Sequence, residues 1–247
     1  MPAHTELAFE QAIEHGLTTR GGYQRRQPED FEEDRAVFPA DVCGFLRDTQ
    51  SGKWTALEAM IGERTEATIL NDLVKELDTK GSLHVLRYGF KCYGKTFRMA
   101  YFRPNSGMNP EASKAYSKNR LTITRQVAFI SALKHPDGSP AELAGKHRKC
   151  IIDVTLSVNG VPVVTAELKN PLTGQRAADA KKQYQTDRDE RDLLFEFKKR
   201  ALVHFAVDPD EAWMTTRLRG SETCFLPFNK GLNHGSGNPP TEGNWKT

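Results

Sequence analysis

The sequence predicts an α/β fold, of the α+β kind, with helices concentrated in the first third and strands after them. Three observations carry this. Over residues 54–77 the apolar side chains Leu57, Met60, Ile61, Ile69, Leu70, Leu73, Val74 and Leu77 recur every three or four positions, the period of one helix face. Past Lys80-Gly81 the pattern changes to strands, at 83–88 and 96–103. From Cys150 to Lys169, two apolar strands flank Asn159-Gly160 and carry Asp153, Glu167 and Lys169 near their ends. With 247 residues and 38% hydrophobic content the chain can bury a substantial core, and one domain is the simplest count.

In chain order, residues 5–16 read as a helix, with Phe9, Ala12 and Ile13 on one face and Gly16 as its stop. Glu6, Glu10 and Glu14 recur on another face, where helix glutamates ordinarily meet water. Residues 24–35 are charged and contain Pro28, an exposed loop leading into short helices. The helical region 54–77 breaks at Gly62. A loop over 104–110, a short helix near 111–119, a strand over 121–129 and a loop over 135–145 follow the first strands. Residues 170–174 read as a loop and 175–188 as a helix that puts Gln183 and Asp187 on one face. The apolar run 201–207 and the alternating run 212–218 extend a central sheet, and His204 within the first reads as a satisfied core histidine. Residues 229–247, rich in Gly, Asn and Pro, read as a linker beyond a domain spanning 1–228, whose first 80 or so residues form a helical elaboration.

The charged groups of the 150–169 stretch are costly on strands this apolar unless they pair with one another or bind a cation. A buried or edge salt bridge and a metal site are both open on this ground. Register discriminates between ways of building the site. If Asn159-Gly160 were a two-residue turn in a regular hairpin, Val158 would pair with Val161 and Asp153 would stand opposite Ala166, on the other face from Glu167 and Lys169. A three-residue loop, Val158-Asn159-Gly160, instead pairs Ser157 with Val161 and gives Asp153, Thr165, Glu167 and Lys169 one face. Asp153 and Glu167 are then diagonal neighbours, roughly 7–8 Å apart at the backbone. The expectation is therefore the odd loop.

Net charge is +3, but its distribution is uneven. Residues 1–83 carry 9 Lys/Arg against 16 Asp/Glu, residues 84–149 carry 13 against 3, and residues 150–247 carry 13 of each. The middle segment interleaves Arg87, Lys91, Lys95, Arg98, Arg103, Lys114, Lys118, Arg120 and Arg125 with tyrosines and phenylalanines, a pattern suited to tracking phosphates. Alternating core aromatics with a solvated basic face explains the same residues singly. The four cysteines (43, 92, 150, 224) lack CxxC spacing and read as reduced, packed thiols of a cytoplasmic protein. The seven histidines show no paired spacing, which argues against a zinc enzyme. No signal-peptide pattern and no uninterrupted apolar stretch of membrane-spanning length occurs, so no membrane association is expected.

Gly89-Phe-Lys-Cys-Tyr-Gly94-Lys95-Thr96 satisfies the phosphate-loop pattern GxxxxGK[ST]. That mechanism needs a helix starting at the Gly-Lys-Thr, whose N–H groups cradle phosphate. The residues that follow, Phe97 to Arg103, are aromatic and basic and read as a strand, so a hairpin turn at Tyr93-Gly94 is expected instead.

Asp153, thirteen residues, then Glu167-Leu168-Lys169 resembles the catalytic core of the PD-(D/E)xK nucleases. The continuation to Asn170-Pro171 resembles the version in the restriction subunit of type I restriction-modification enzymes. The runs 83–90, 119–126, 183–189 and 202–231 are similar to the amino-terminal portion of that subunit, so the resemblance covers essentially the whole chain. It implies a restriction-endonuclease-like core, a central mixed sheet flanked by helices. It further implies a Mg²⁺-dependent endonuclease domain acting on double-stranded DNA away from a recognition site. Asp153, Glu167 and the Leu168 backbone carbonyl would hold Mg²⁺, with Lys169 as the catalytic cation. Glu10 matches the further acid that relatives supply from a preceding helix. Gln183 matches the Gln of a Gln-x-x-x-Tyr element used to position DNA or the active site, and Asp187 stands where its Tyr would be; Arg120 and Arg125 are candidate DNA contacts. Modification and specificity subunits would be partners through the full-length protein, and ATP would serve only a motor region absent from this chain. The rival readings are a catalytically silent DNA-binding or assembly domain with the same fold, and an ATP-binding protein working through Lys95.

Overall fold

The computed structural model of the chain describes residues 6–105, 108–131, 148–170, 172 and 174–228. The loop expected at 135–145, the linker expected at 229–247 and parts of the loops expected at 104–110 and 170–174 lie outside them. Helix α1 (Glu6–Arg20) and strand β1 (Gln24–Arg26) precede three helices, α2 (Pro39–Ile61), α3 (Thr65–Lys80) and α4 (Ser82–Tyr88). A small hairpin, β2 (Phe90–Cys92) and β3 (Lys95–Phe97), leads to α5 (Pro110–Tyr116). The remaining elements are β4 (Leu121–Ser131), β5 (Arg148–Val158), β6 (Val161–Leu168), α6 (Ala177–Thr186), β7 (Val203–Val207), β8 (Ala212–Thr215) and β9 (Leu226–Pro227).

Among the described residues, seven strands form one mixed sheet in the order β1-β4-β5-β6-β7-β8-β9. The pairs β1–β4 and β6–β7 are parallel and the others antiparallel, with α6 carrying the chain from β6 back to β7. Helix α1 covers one face, where Phe9, Ile13 and Leu17 meet Ile123, Val154, Ala166 and Leu168. Helix α6 covers the other, where Tyr184 joins Val127, Phe129, Ile152, Leu194 and Phe195. This is the α/β, restriction-endonuclease-like architecture. A third core is built from α2, α3, α4 and the small hairpin, and reaches the sheet at Val161.

Several elements depart from their sequence pattern for identifiable reasons. Helix α1 runs past Gly16 to Arg20, because Leu17 still packs on the sheet and accepts the closing N–H groups of Gly21 and Tyr23. Residues 24–26, expected in a loop, add the edge strand β1. Residues 82–88 are a helix and not a strand: Ser82, Val85 and Leu86 are buried at helical spacing, while Leu83 and Tyr88 face outward. The strand expected over 96–103 stops at Phe97. Gln50 takes both backbone groups of Arg98 at 2.9 Å, and Asn119 takes both of Tyr101, so side chains replace a ladder there. The break expected at Gly62 is present between α2 and α3. Gly89 to Thr96 is the expected hairpin, with Tyr93 and Gly94 both at positive φ, and no helix begins at Gly94-Lys95-Thr96. The phosphate-loop mechanism has no structural basis here.

The β5–β6 hairpin decides the site. Val158 pairs with Val161 across a two-residue Asn159-Gly160 turn, both residues at positive φ as a type I′ turn requires. The odd loop expected from the sequence is therefore corrected. The register then shifts between Leu156 and Ser157: Ser157 pairs with Pro162 but Leu156 with Val164, leaving Val163 as a bulge. Beyond it, Thr155 pairs with Thr165 and Val154 with Ala166, so one step further Asp153 stands opposite Glu167. The turn itself is clamped. Asn159 is fully buried, its Oδ1 accepting from the Arg120 N–H at 2.6 Å and its Nδ2 donating to the Met99 carbonyl at 2.8 Å. The Gly160 carbonyl accepts from the Phe38 N–H at 2.8 Å, at the start of α2.

A Cβ on Gly160 would meet the Phe38 carbonyl oxygen and a Val42 methyl at 2.6 Å, at a φ of +85° that side chains disfavour. Gly160→Ala is expected to destabilise the protein by about 2 kcal/mol or more, read from urea unfolding. His204, as expected, is a satisfied core histidine: it is fully buried, bonded through Nδ1 to Thr165 Oγ1 at 2.8 Å, and burial depresses its pKa to about 3. The unfolded chain takes up this proton near pH 6.5 and the native state does not, so stability is present above that pH and is lost on acidification towards pH 3. This group alone is expected to remove about 2 kcal/mol between pH 7 and 5. His204→Gln flattens that part of the urea-stability profile.

Candidate active site

Asp153 lies near the end of the β5–β6 pairing, Glu167 opposite it on β6, and Lys169 just past the end of β6. The Asp153 carboxylate accepts the backbone N–H of Leu168 at 2.7 Å, and the Lys169 N–H donates to the Val207 carbonyl at 2.9 Å. These two bonds pin the Glu-Leu-Lys segment between β5 and β7. Glu167 is fully buried and Lys169 nearly so, whereas Asp153 is half-buried at the margin. The three sequence-predicted charges thus come together, on an arrangement the odd loop did not anticipate.

Burial of a carboxylate in such a place requires a counter-charge. Arg188, two residues past α6, supplies it: Nε and Nη2 both reach Glu167 Oε1, at 2.7 and 2.6 Å. Glu167 Oε2 is buried and has no hydrogen-bond partner among the described residues. Burial pushes the Glu167 carboxyl up to about 8; Arg188 pulls it down, the nearby Asp153 charge raises it, and Lys169 lowers it. Next to this pair, Tyr184 of α6 and Thr165 share a hydrogen bond at 2.9 Å. Sequence reasoning gave Arg188 no role. The signal available was its place in the Gln183–Asp189 run, just after the helix that covers the face on which Glu167 lies.

Glu10 is also buried. It accepts from Gln126 Nε2 at 2.7 Å and from Arg125 Nη1 at 3.4 Å. Gln126 sits at the level of Asp153, between the pairs Arg125↔Val154 and Val127↔Ile152, and has a φ of +55°. Side-chain alternation slips at this level. Val154 packs beneath α1 and Ile152 beneath α6, although residues two apart on a regular strand share a face. The irregularity places Asp153 and Gln126 where the sheet faces exchange.

Arg120 and Arg125 are engaged within the protein. Arg120 lies across α2 with Nη2 on Asp48 at 2.8 Å and Nη1 3.5 Å from buried Asp41, and Arg125 pairs with Glu14 and Glu10. Lys91, Arg98, Arg103, Lys114 and Lys118 are exposed. Gln183 is half-buried on α6, and Asp187 ends that helix in an exposed position, its N–H donating to the Gln183 carbonyl at 2.8 Å. Cys43, Cys92 and Cys150 are buried and, among the described residues, in no disulfide, and burial raises the first two to about 11 and about 12; Cys224 is exposed.

The donor set suits a hard cation. Asp153 and Glu167 offer carboxylate oxygens, and the unpartnered Oε2 is an acceptor whose burial a cation would compensate. Among the described residues no three His, Cys, Asp or Glu side chains converge on one point. Two carboxylates with remaining positions left to backbone oxygen, water or phosphate is a Mg²⁺-like requirement.

Fold and site together define a mixed-sheet α/β domain that carries an Asp and a Glu-x-Lys on its central hairpin. The chain belongs to the family described as type I restriction enzyme R protein N terminus (HSDR_N), which it matches over residues 5–223. It corresponds to the amino-terminal domain of the R subunit of a type I restriction enzyme. No curated protein matches it. Among the described residues no helix is long and apolar enough to cross a membrane.

In the metal-free protein, the carboxyl carbon resonance of Glu167 is expected to titrate with a midpoint near 8. Asp153→Asn, which removes a neighbouring negative charge, is expected to lower that midpoint. A Glu167 signal titrating near 4.5 would contradict the burial argument.

Proposed function

We propose that this domain is a Mg²⁺-dependent endonuclease that hydrolyses DNA phosphodiesters away from the recognition site as part of a type I restriction enzyme, with sequence recognition left to a separate specificity subunit. The observation that carries the reading is the pairing of Asp153 opposite Glu167, with Lys169 adjacent and one Glu167 oxygen without a partner among the described residues. Asp153, Glu167 and the Leu168 carbonyl would hold the ion. When bound, Mg²⁺ supplies polarisation of a phosphate oxygen and acidification of a water. Lys169 holds positive charge where negative charge develops on the phosphate, or orients the attacking water. Glu10, held by Gln126 at the level of Asp153, is the candidate for a further acid at the site's edge. DNA contacts are assigned to Gln183 and to the exposed cations of the middle segment, since Arg120 and Arg125 are already occupied by ion pairs.

A non-catalytic DNA-binding domain of the same fold draws on one observation, that Arg188 already neutralises Glu167. The bare Oε2 counts against it, because a purely structural pair would gain from satisfying both oxygens. Lys169→Ala separates the two. Mg²⁺-dependent plasmid nicking is expected to fall about 10²-fold or more, with DNA binding in a gel shift retained; unchanged nicking by the variant overturns the endonuclease assignment.

A further inference from the structure

We infer that Arg188 is a positioning residue of this site: it anchors Glu167 through one oxygen and leaves the other, Oε2, available to the ion. The inference rests on the reading of Asp153 and Glu167 as a Mg²⁺ site. Its basis is the asymmetry of the contact. An arginine facing a carboxylate ordinarily forms two parallel bonds, one to each oxygen. Here Nε and Nη2 both converge on Oε1, and among the described residues Oε2 is left without a hydrogen bond in a fully buried place.

Arg188 is itself held from three sides. Nη2 also donates to the Ile151 carbonyl at 2.8 Å, two residues before Asp153, and Nη1 reaches the Asp187 carbonyl at 3.3 Å just past the end of α6. The guanidinium lies 5.5 Å from the centre of the Phe129 ring. One planar cation therefore ties the strand bearing Asp153, the strand bearing Glu167 and the end of α6 into a fixed relation. A lysine could not bridge Oε1 and the Ile151 carbonyl with the same fork. Groups that orient a metal ligand through its second atom typically change metal affinity by 10–100-fold when removed.

The Arg188 guanidinium also carries a charge that repels a cation, and the sign of the experimental result separates orientation from competition. The measurement is Mn²⁺ affinity by calorimetry on the intact chain, in a double-mutant cycle with Glu167→Gln, alongside the thermal midpoint of each variant. Arg188→Ala is expected to weaken Mn²⁺ binding by on the order of 10–100-fold and to have little further effect in the Glu167→Gln background. Where Arg188→Ala does not fold, Arg188→Lys is read in the same way, with a smaller loss expected. Unchanged or tighter Mn²⁺ binding overturns the inference, as does an equal loss in both backgrounds, which would mark Arg188 as a general support of the fold. A different result addresses the metal site itself: wild-type Mn²⁺ affinity that is insensitive to both Asp153→Asn and Glu167→Gln removes that reading and the inference with it.

Discussion

The structure depends on the register of one hairpin. In an antiparallel pair the side chains alternate with a period of two, so a change of one residue in the pairing moves a whole strand's side chains to the opposite face. Here the tight Asn159-Gly160 turn would by itself have put Asp153 and Glu167 on opposite faces. The extra residue Val163 reverses that outcome. Its carbonyl is used outside the pair, accepting from the Leu202 N–H at 2.9 Å as the chain enters β7. The bulge is thus supported by the neighbouring strand, and the turn by Phe38, Met99 and Arg120, which come from the helical elaboration and the segments that join it to the sheet. Helices far from the carboxylates in sequence hold the tip of the hairpin that carries them.

The second constraint is electrostatic. A carboxylate on a central strand, fully buried, is tolerated because a guanidinium reaches it and because Lys169 lies close by. The compensation is incomplete, with one oxygen unpartnered among the described residues and the carboxyl displaced to about 8. Such incompleteness is costly for stability and characteristic of sites whose chemistry needs an open ligand position. The same logic sorts the arginines. Arg26 and Arg120 converge on the buried Asp41, Arg125 answers Glu10 and Glu14, and Arg188 answers Glu167. Basic residues that look alike along the middle of the sequence divide into internal partners of buried acids and an exposed set that includes Lys91, Arg98 and Arg103.

Much of this was legible in the sequence where the signal is local. Helical spacing located α3, the end of α2 from Trp54 on and the break at Gly62, while the earlier part of α2 was not read; the Tyr93-Gly94 turn was visible against a deceptive phosphate-loop pattern, and Asp153, Glu167 and Lys169 stood out as charges on apolar strands. Local signals failed where tertiary partners intervene. Residues 82–88 form a helix because one face is buried against α3, and the backbone of Arg98 and Tyr101 is satisfied by Gln50 and Asn119 and not by a strand. Asn159-Gly160 is a strong two-residue turn signal, whereas a shared face for the charges, argued from a regular hairpin, demands the odd loop. The structure satisfies both demands through a bulge.

By itself, then, the sequence determined the α/β class, the helix and strand succession through most of the chain, and the identity of the three charged residues on the central hairpin. These follow from periodicity and from the cost of charge on apolar strands, which are properties of neighbouring residues. Only the tertiary structure decided how those charges meet: the Val163 bulge, the slip of alternation at Gln126 and Asp153, and the reach of Arg188 to one oxygen of Glu167. The bulge carbonyl is taken up by Leu202, Gln126 is held against Glu10, and Arg188 reaches back to Glu167 and Ile151, contacts that join residues far apart in the sequence. Nothing in a residue's own neighbourhood records which distant backbone or side chain will satisfy it.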